Sequence, residues 1–543
     1  MDTHPKGTNA RILLTSVFKP FAVDDEFGSR EINPVELYHN QVTREQGPFS
    51  LRMFHRTWGL QFLQHNVSAP CTLLDFPTRE RFVRELTSEH YDIVGISAIV
   101  VNVGKVREMC RLVREHSPST TIVVGGHVAA IANIHELVDA DHIVRGEGVR
   151  WLRTFLGEDP DQPVRHPVIP SSFGFRTLGL NTEGGRSATI IPSVGCPLGC
   201  NFCTTSAFFG GKGKSTTFYD SGEDIYKVMC EAEEALKVKS FFMMDENFLL
   251  FKKRAMELLE CMKRDGKVWS MYVFSSANAI RKYKMSELVE LGIDWIWLGL
   301  ESASSGYAKL NGADTLELVR ELQAHGICVL GSSIIGLEHQ TPDNIHDDID
   351  RAVAHETVFH QFMLYTPMPG TPLHEEVSRE GRLLEDIDIA DIHGQYKFNF
   401  KHPAISRDES KLFLDHAFRT DYERNGPSLF RLARTMLARC RKYASYPDAR
   451  VRARIAADAA KLRGGYGAML WAMEKYLREN NRNVSVQIRE VRLEIEQELG
   501  GWSAAAHRLL GPVLLWTSRR DARKHPRGRR IEPRTFVERF NWT

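Results

Sequence analysis

Short apolar runs rich in Val, Ile and Leu recur along the first part of the chain, with stretches of helical spacing between them. Residues 11–17, 71–75, 93–101, 121–124 and 140–144 read as buried strands, and 51–65 and 105–116 as helices. Residues 21–50 are polar and aromatic without a clear period and read as a long loop. Strands alternating with helices predict a parallel, doubly wound sheet. The pattern lapses over 157–187, where Pro and Gly interrupt it, and this stretch reads as an inter-domain linker. It resumes at Ala188. A strand there is followed by strands at 240–244, 268–275, 294–298, 328–335 and 359–364, each preceded by a helical stretch, which makes six βα-type units. Past about 383 the alternation stops, and 410–424, 428–443, 448–477 and 484–499 have amphipathic helical spacing. The expected units are therefore 1–156, 157–187 as linker, 188–382 and 383–543.

A chain of 543 residues exceeds one ordinary domain, and its 42% hydrophobic and 26% charged content is that of a globular protein. A formal net charge of +1 gives no global pull toward nucleic acid. The N-terminal stretch lacks the apolar core of a signal peptide, and no run reaches the roughly 18 apolar residues of a membrane span. Nine cysteines, an odd number, argue against a disulfide framework and for a reducing cytoplasm.

Three of those cysteines, Cys196, Cys200 and Cys203, stand in a C-x3-C-x2-C loop directly after the strand at 188–191. A Gly- and Pro-punctuated loop with three thiols suits a soft metal centre. The alternatives are buried structural thiols, or a zinc site, which would want a fourth Cys or His nearby. The next candidate is Cys230.

The spacing resembles that of the radical S-adenosylmethionine (SAM) enzymes, and Phe202 matches the aromatic residue that this family favours before its last cysteine. The resemblance implies a [4Fe–4S] cluster on the three cysteines, with one iron open to SAM, and an open (β/α)6 barrel built from the six units. Polar residues at the carboxyl ends of barrel strands then become cofactor ligands. Asp245 and Glu246 jointly take the position that contacts the SAM amino group. Ser275 is a candidate for the carboxylate or ribose, Glu301 of the GLES-type element for the ribose, and Gly336 for the segment beside adenine. The stretch 365–372 resembles the PxPGTP loop of cobalamin-dependent members.

The first unit resembles the Rossmann-like cobalamin-binding domain fused to one class of these enzymes. The matching pieces are the strand ending in Ser97, the VVGGH stretch with Gly125, Gly126 and His127, and the RGEG stretch with Gly146 and Glu147. The D-x-H-x-x-G motif of other cobalamin proteins is absent, and Val149 stands where an acidic residue often follows RGEG. Asp75 and His127 each also have a purely structural reading.

The whole fold is thus expected to be α/β, with a Rossmann-like cobalamin-binding domain, a radical SAM barrel and a helical C-terminal region. That last region is read as a cap closing the barrel mouth. His360, Tyr365, His374, His393 and Tyr396 are possible substrate-facing groups. The last stretch, 517–543, holds nine Arg or Lys against three acidic residues and is read as a solvated or self-docking tail. Trp516, Phe536, Phe540 and Trp542 would be its packing anchors. The resemblance implies cobalamin, SAM and the cluster as cofactors. It also implies a small-molecule or lipid substrate and a flavodoxin- or ferredoxin-type electron donor. The activity it implies is methylation of an unactivated carbon in a secondary metabolite, lipid or peptide. Ring formation, oxidation or rearrangement, and a non-catalytic sensor, are the alternatives.

Overall fold

The computed structural model describes residues 3–19, 26–27, 32, 36–171, 174–183, 187–302, 310, 314–500, 503–525 and 532–541. Two parallel sheets organise it. In the first, Cys71–Asp75, Ile12–Ser16, Ile93–Ser97, Thr121–Gly125 and His142–Ile143 lie side by side in that order, all parallel. The inner strands are largely apolar on both faces because helices cover both, Arg79–Ser88 and Val103–His116 on one and Trp58–His65 and Gly148–Phe155 on the other. The expected strand at 93–101 stops at Ser97, since Val100–Asn102 turns into the following helix.

The far edge of this sheet is closed from an unexpected place. Phe536–Phe540, near the end of the chain, pairs antiparallel with Cys71–Asp75. Phe536 packs on the underlying core and under the Arg56 guanidinium, and Phe540 meets His65 edge-on at 4.5 Å. The tail docks on the protein itself, and these two aromatic residues are anchors. Trp516 is not, being 59% exposed, and Trp542 lies outside the described residues.

The second sheet is the partial barrel. Ala188–Ile190, Ser240–Met243, Ser270–Ser275, Ile293–Gly299, Cys328–Ile335 and Phe359–Leu364 run parallel in chain order. Ile169–Pro170 joins the first strand antiparallel at its free edge. The stretch read as a linker therefore carries strands. Gly174–Thr177 and Leu180–Glu183 form a small antiparallel sheet with Arg52–Met53, whose partners lie far apart in sequence and so leave no local period. Arg52–Met53 also means that the helix expected over 51–65 begins only at Trp58. Within the stretch read as a loop, Leu37–Gln41 is helical. Tyr38 and Val42 pack there on the lumen residues Leu330 and Phe359, beside Tyr272 and Trp295.

Of the C-terminal third, His393, Gly394 and Gln395 line the barrel mouth, whereas the later helices pack elsewhere. Ser428–Tyr443, Ala449–Lys461 and Gly467–Leu477 share a core with the opposite end of the barrel, where the strands begin. Arg439 and Arg454 reach the strand starts directly. A Cβ on Gly326 would lie 2.1 Å from Arg439 Cβ, and Arg454 donates to the Val289 carbonyl at 2.5 Å. The helix expected over 448–477 is broken at Gly464, whose ψ of −110° leaves the helical region.

Candidate active site

The cysteine loop leaves the first barrel strand and is closed at its stem by antiparallel pairing of Ser193–Val194 with Thr216–Thr217. Gly199, at φ +65°, allows the tight reversal, for a Cβ there would lie 2.5 Å from Lys212. The Cys203 amide donates to the Cys200 carbonyl at 3.0 Å, and the Ser206 hydroxyl donates to the Cys196 carbonyl at 2.8 Å. These bonds present Cys196, Cys200 and Cys203 together to one cavity of about 640 Å³ at the carboxyl ends of the barrel strands. Burial pushes the Cys196 thiol above its ordinary pKa. Among the described residues, no three His, Cys, Asp or Glu converge on a single metal ion. A set of three thiols and no fourth protein donor instead fits a four-iron cluster with one iron left for another ligand.

The second strand ends in two adjacent carboxylates with opposite fates. Asp245 is turned away from the cavity: it accepts from Ser193 Oγ at 2.7 Å and from the Asn247 amide at 3.0 Å, and ion-pairs with buried Arg254. Of the jointly expected pair, only Glu246 lines the cavity. Its Oε2 is buried without a hydrogen-bond partner, and burial raises its pKa to about 8. A carboxyl with one oxygen left open to the cavity is matched to a ligand cation, which would restore the charged form.

Asn247 is the joint of the site. Its Oδ1 accepts from Ser275 Oγ at 3.2 Å and from the Ser276 amide at 3.2 Å, fixing the ends of the second and third strands to each other. Glu301, after the fourth strand, also lines the cavity and is held at φ +53°, a left-handed conformation that a glutamate adopts at a cost of about 1–3 kcal/mol. Phe202 lines the wall, edge-on to Tyr365 at 6.4 Å. Gly336 does not line it: at φ +80° it packs under Phe398, and its amide donates to Gln340 Oε1 at 2.6 Å. Ser332, Ser333 and Ile334 of the same strand line the cavity instead.

A polar string on the lumen side eluded the sequence reading. Trp297 Nε1 donates to Ser332 Oγ at 2.7 Å, Ser332 Oγ to Gln361 Oε1 at 2.8 Å, and Gln361 Nε2 to Gln41 Oε1 at 3.1 Å. The available signal was a polar residue at an inward position of an otherwise apolar strand, as in Ser332 and Gln361. Of the five possible substrate-facing groups, Tyr365 and His393 line the cavity. His360 sits behind it, bonded to Ser333 Oγ at 3.0 Å and stacked on Phe362. His374 and Tyr396 are not part of the lining.

The first sheet contributes a second, narrower cleft of about 230 Å³, between its strand ends and the barrel. Ser97, Gly125, Gly126, His127, Gly146 and Glu147 all line it. Gly126 brings two strand ends together, since a Cβ there would lie 2.6 Å from the Ala98 carbonyl oxygen. Glu147 also caps the Gly148–Phe155 helix, accepting from the Arg150 amide at 3.0 Å. Asp75 lies outside this lining, accepting from Thr57 Oγ1 at 2.7 Å. Among the described residues, His127 alone lines both cavities. Its ring stacks on Phe208 at 4.8 Å, its buried Nε2 has no partner, and burial lowers its pKa, so the imidazole is neutral at pH 7.

Comparison with known proteins agrees with this geometry. Residues 190–352 match the model of the radical SAM superfamily, and 55–156 that of the B12-binding domain. An uncharacterized methyltransferase of Pyrococcus horikoshii is 26% identical over 54% of this chain and 71% of its own length. The bacteriochlorophyllide d C-12(1)-methyltransferase of Chlorobaculum tepidum is 31% identical over 39% of this chain, and the match spans 47% of that protein. Among solved structures, TsrM of Kitasatospora setae, a radical S-adenosylmethionine methyltransferase, superposes with a TM-score of 0.53 at 15% identity. The match covers 83% of this chain and 99% of that one, a likeness of fold.

Proposed function

The chain belongs to the cobalamin-dependent radical SAM enzymes, and on that premise we propose that it methylates an unactivated carbon of an uncharged, largely apolar substrate. The observation behind the proposal is the junction at His127, where the glycine-lined cleft of the first sheet opens beside the cysteine-lined cavity. When bound, the cluster supplies the electron that cleaves SAM, and cobalamin supplies the methyl group.

The chain's own residues do the positioning. Cys196, Cys200 and Cys203 would hold the cluster. Glu246, with its Oε2 unpartnered, would receive the SAM ammonium, and the Asn247–Ser275 joint would keep that carboxyl in register with Glu301. Ser97, Gly125, Gly126 and Gly146 would admit the cobalamin tail to the narrow cleft, with His127 at its inner end.

The choice of substrate follows from the walls. Among the described residues, no Lys or Arg lines the larger cavity, and burial holds the His393 imidazole at a pKa of about 4, so it is neutral at pH 7. Ile99, Val101, Phe274, Ile334, Met363 and Met368 supply apolar surface there. Nothing on that lining would compensate a buried phosphate or carboxylate on the substrate. Gln361 and Ser332 can instead orient a hydroxyl or carbonyl. A flavodoxin- or ferredoxin-type protein is the proposed electron donor. The cytoplasm is the proposed compartment, where nine free cysteines stay reduced.

The test is anaerobic reconstitution with iron, sulfide and hydroxocobalamin, followed by turnover with a reductant and a panel of neutral and anionic substrates. Methyl transfer requires S-adenosylhomocysteine and 5′-deoxyadenosine to appear together with a product heavier by one methylene. Deoxyadenosine and product without S-adenosylhomocysteine would instead assign the chain to ring formation or rearrangement.

A further inference from the structure

The helix Ser503–Lys524 has two faces, and only one is used. Facing the protein, His507 pairs with Glu496 at 2.8 Å, Gly511 lies against Trp471, Ser518 is fully buried, and Asp521 pairs with Arg176 at 2.7 Å. The spacing of these four, at four, seven and three residues, is that of one helical stripe. The opposite face carries Leu509, Leu510, Val513 and Trp516, exposed by 74%, 52%, 54% and 59%. These are four of the eleven exposed large hydrophobic residues in the described chain, gathered within eight positions.

Cations surround that stripe. Arg508, Arg519, Arg520, Arg523 and Lys524 are all exposed, and among the described residues none has a carboxylate partner. Arg520 rests on the Trp516 ring at 5.2 Å. The helix's one acidic residue, Asp521, is already paired with Arg176. The sequence continues with Arg527, Arg529 and Arg530.

We propose that this helix lies in the plane of an anionic lipid bilayer and seats the protein on it. Leu509, Val513 and Trp516 would enter the boundary between headgroups and acyl chains, while the arginines bind phosphate headgroups. Charge complementarity favours this occupant over a second copy of the chain, because a two-fold contact through this face would bring two clusters of five cations together. The helix lies on the bilayer rather than across it, for no helix among the described residues is long and apolar enough to span one. The proposal needs no bound cofactor and is independent of methyl transfer.

Sedimentation of the full chain with phosphatidylcholine vesicles, with and without phosphatidylglycerol, tests it. Binding is expected to be at least about tenfold stronger with the anionic lipid and to weaken as salt rises. The triple variant Leu509→Ser/Val513→Ser/Trp516→Ser should lose binding. Arg519→Gln/Arg520→Gln/Arg523→Gln should bind more weakly and with less dependence on salt. Both should keep the wild-type far-ultraviolet circular dichroism spectrum and SAM cleavage in lipid-free solution, since every changed residue is exposed and outside the site. Wild type remaining in the supernatant with both vesicle types, or variants that sediment like wild type, would overturn the proposal. So would a dimer in sedimentation equilibrium that the Leu509/Val513/Trp516 variant abolishes, which would make a second copy the occupant.

Discussion

The two ends of the barrel treat buried charge in opposite ways. Where the strands begin, Arg439 pairs with Asp294 and, at 3.2 Å, with Asp458, and Arg454 reaches Asp294 at 3.4 Å, so carboxylates and guanidiniums close on one another. Where the strands end, Glu246 faces the cavity with no cation beside it and its Oε2 without a hydrogen bond, the His127 Nε2 is unpartnered, and Glu301 is held in a left-handed backbone. At one end each charge faces an opposite charge of the chain, even where, as at Asp294 Oδ1 and Arg439 Nε, no hydrogen bond is formed. The other is left open in ways that only a ligand completes, and this asymmetry marks the working end without reference to any relative.

Substitutions at the two ends should separate accordingly. The largest effect is expected from Cys196→Ala, Cys200→Ala or Cys203→Ala. Each should abolish deoxyadenosine release, by about a thousandfold or more, while the thermal midpoint of the cofactor-free chain stays close to wild type. A fall in that midpoint equal to a core deletion would show that the loop belongs to the stabilising machinery after all. At the opposite end, Arg439→Leu leaves Asp294 and Asp458 without their main partner. It should cost about 3–5 kcal/mol in denaturant unfolding. Unchanged stability would dissolve the contrast.

Glu246→Gln is the finer probe. It should weaken SAM binding by roughly ten- to a hundredfold, about 1.4–2.8 kcal/mol, as measured by equilibrium dialysis of the reconstituted protein. Its effect on stability has the opposite sign. The folded carboxyl, with a pKa raised to about 8, stays protonated where the unfolded one has already ionised. Wild type therefore loses stability as pH rises from the ordinary carboxylate range toward 8. Glutamine removes that loss, so the variant should match wild type at pH 4 and exceed it at pH 8. A variant less stable at pH 8 would mean that the carboxyl is satisfied in the free protein.

How much of this was legible in the sequence follows from what each pattern encodes. The barrel strands were legible because their runs are mostly apolar, as in Cys328–Ile335 and Phe359–Leu364, with polar interruptions such as Ser332 and Gln361 facing the lumen. The cysteine loop was legible because its ligands are contiguous. The side of the barrel on which the helical third packs was not. Amphipathic spacing shows that a helix such as Ser428–Tyr443 has a buried face, and says nothing about which end of a neighbour receives it. Asp245 and Glu246 were likewise equivalent until the fold brought Ser193 and Arg254 to the first of them. The helix Ser503–Lys524 was hidden by Gly511-Pro512, which reads as a break yet sits inside it. Gly511 is there for close packing on Trp471, and Pro512 is exposed.

The strand Phe536–Phe540 sets an order on the making of this protein. Thr535 bonds to the Phe76 carbonyl at 2.8 Å across 459 positions of chain, while Arg539 supplies the charge that meets buried Glu85 at 2.9 Å. As the ribosome extends the chain, the B12-binding domain emerges first but with its Cys71–Asp75 edge unpaired, a template for any stray strand. Only after the barrel and the helices have been made does the segment that closes that edge leave the exit tunnel. Truncated or stalled chains would thus keep a sticky margin, and a nascent-chain binding partner or chaperone would find it there. Sealing of the sheet therefore waits on a segment made after the barrel and the helices.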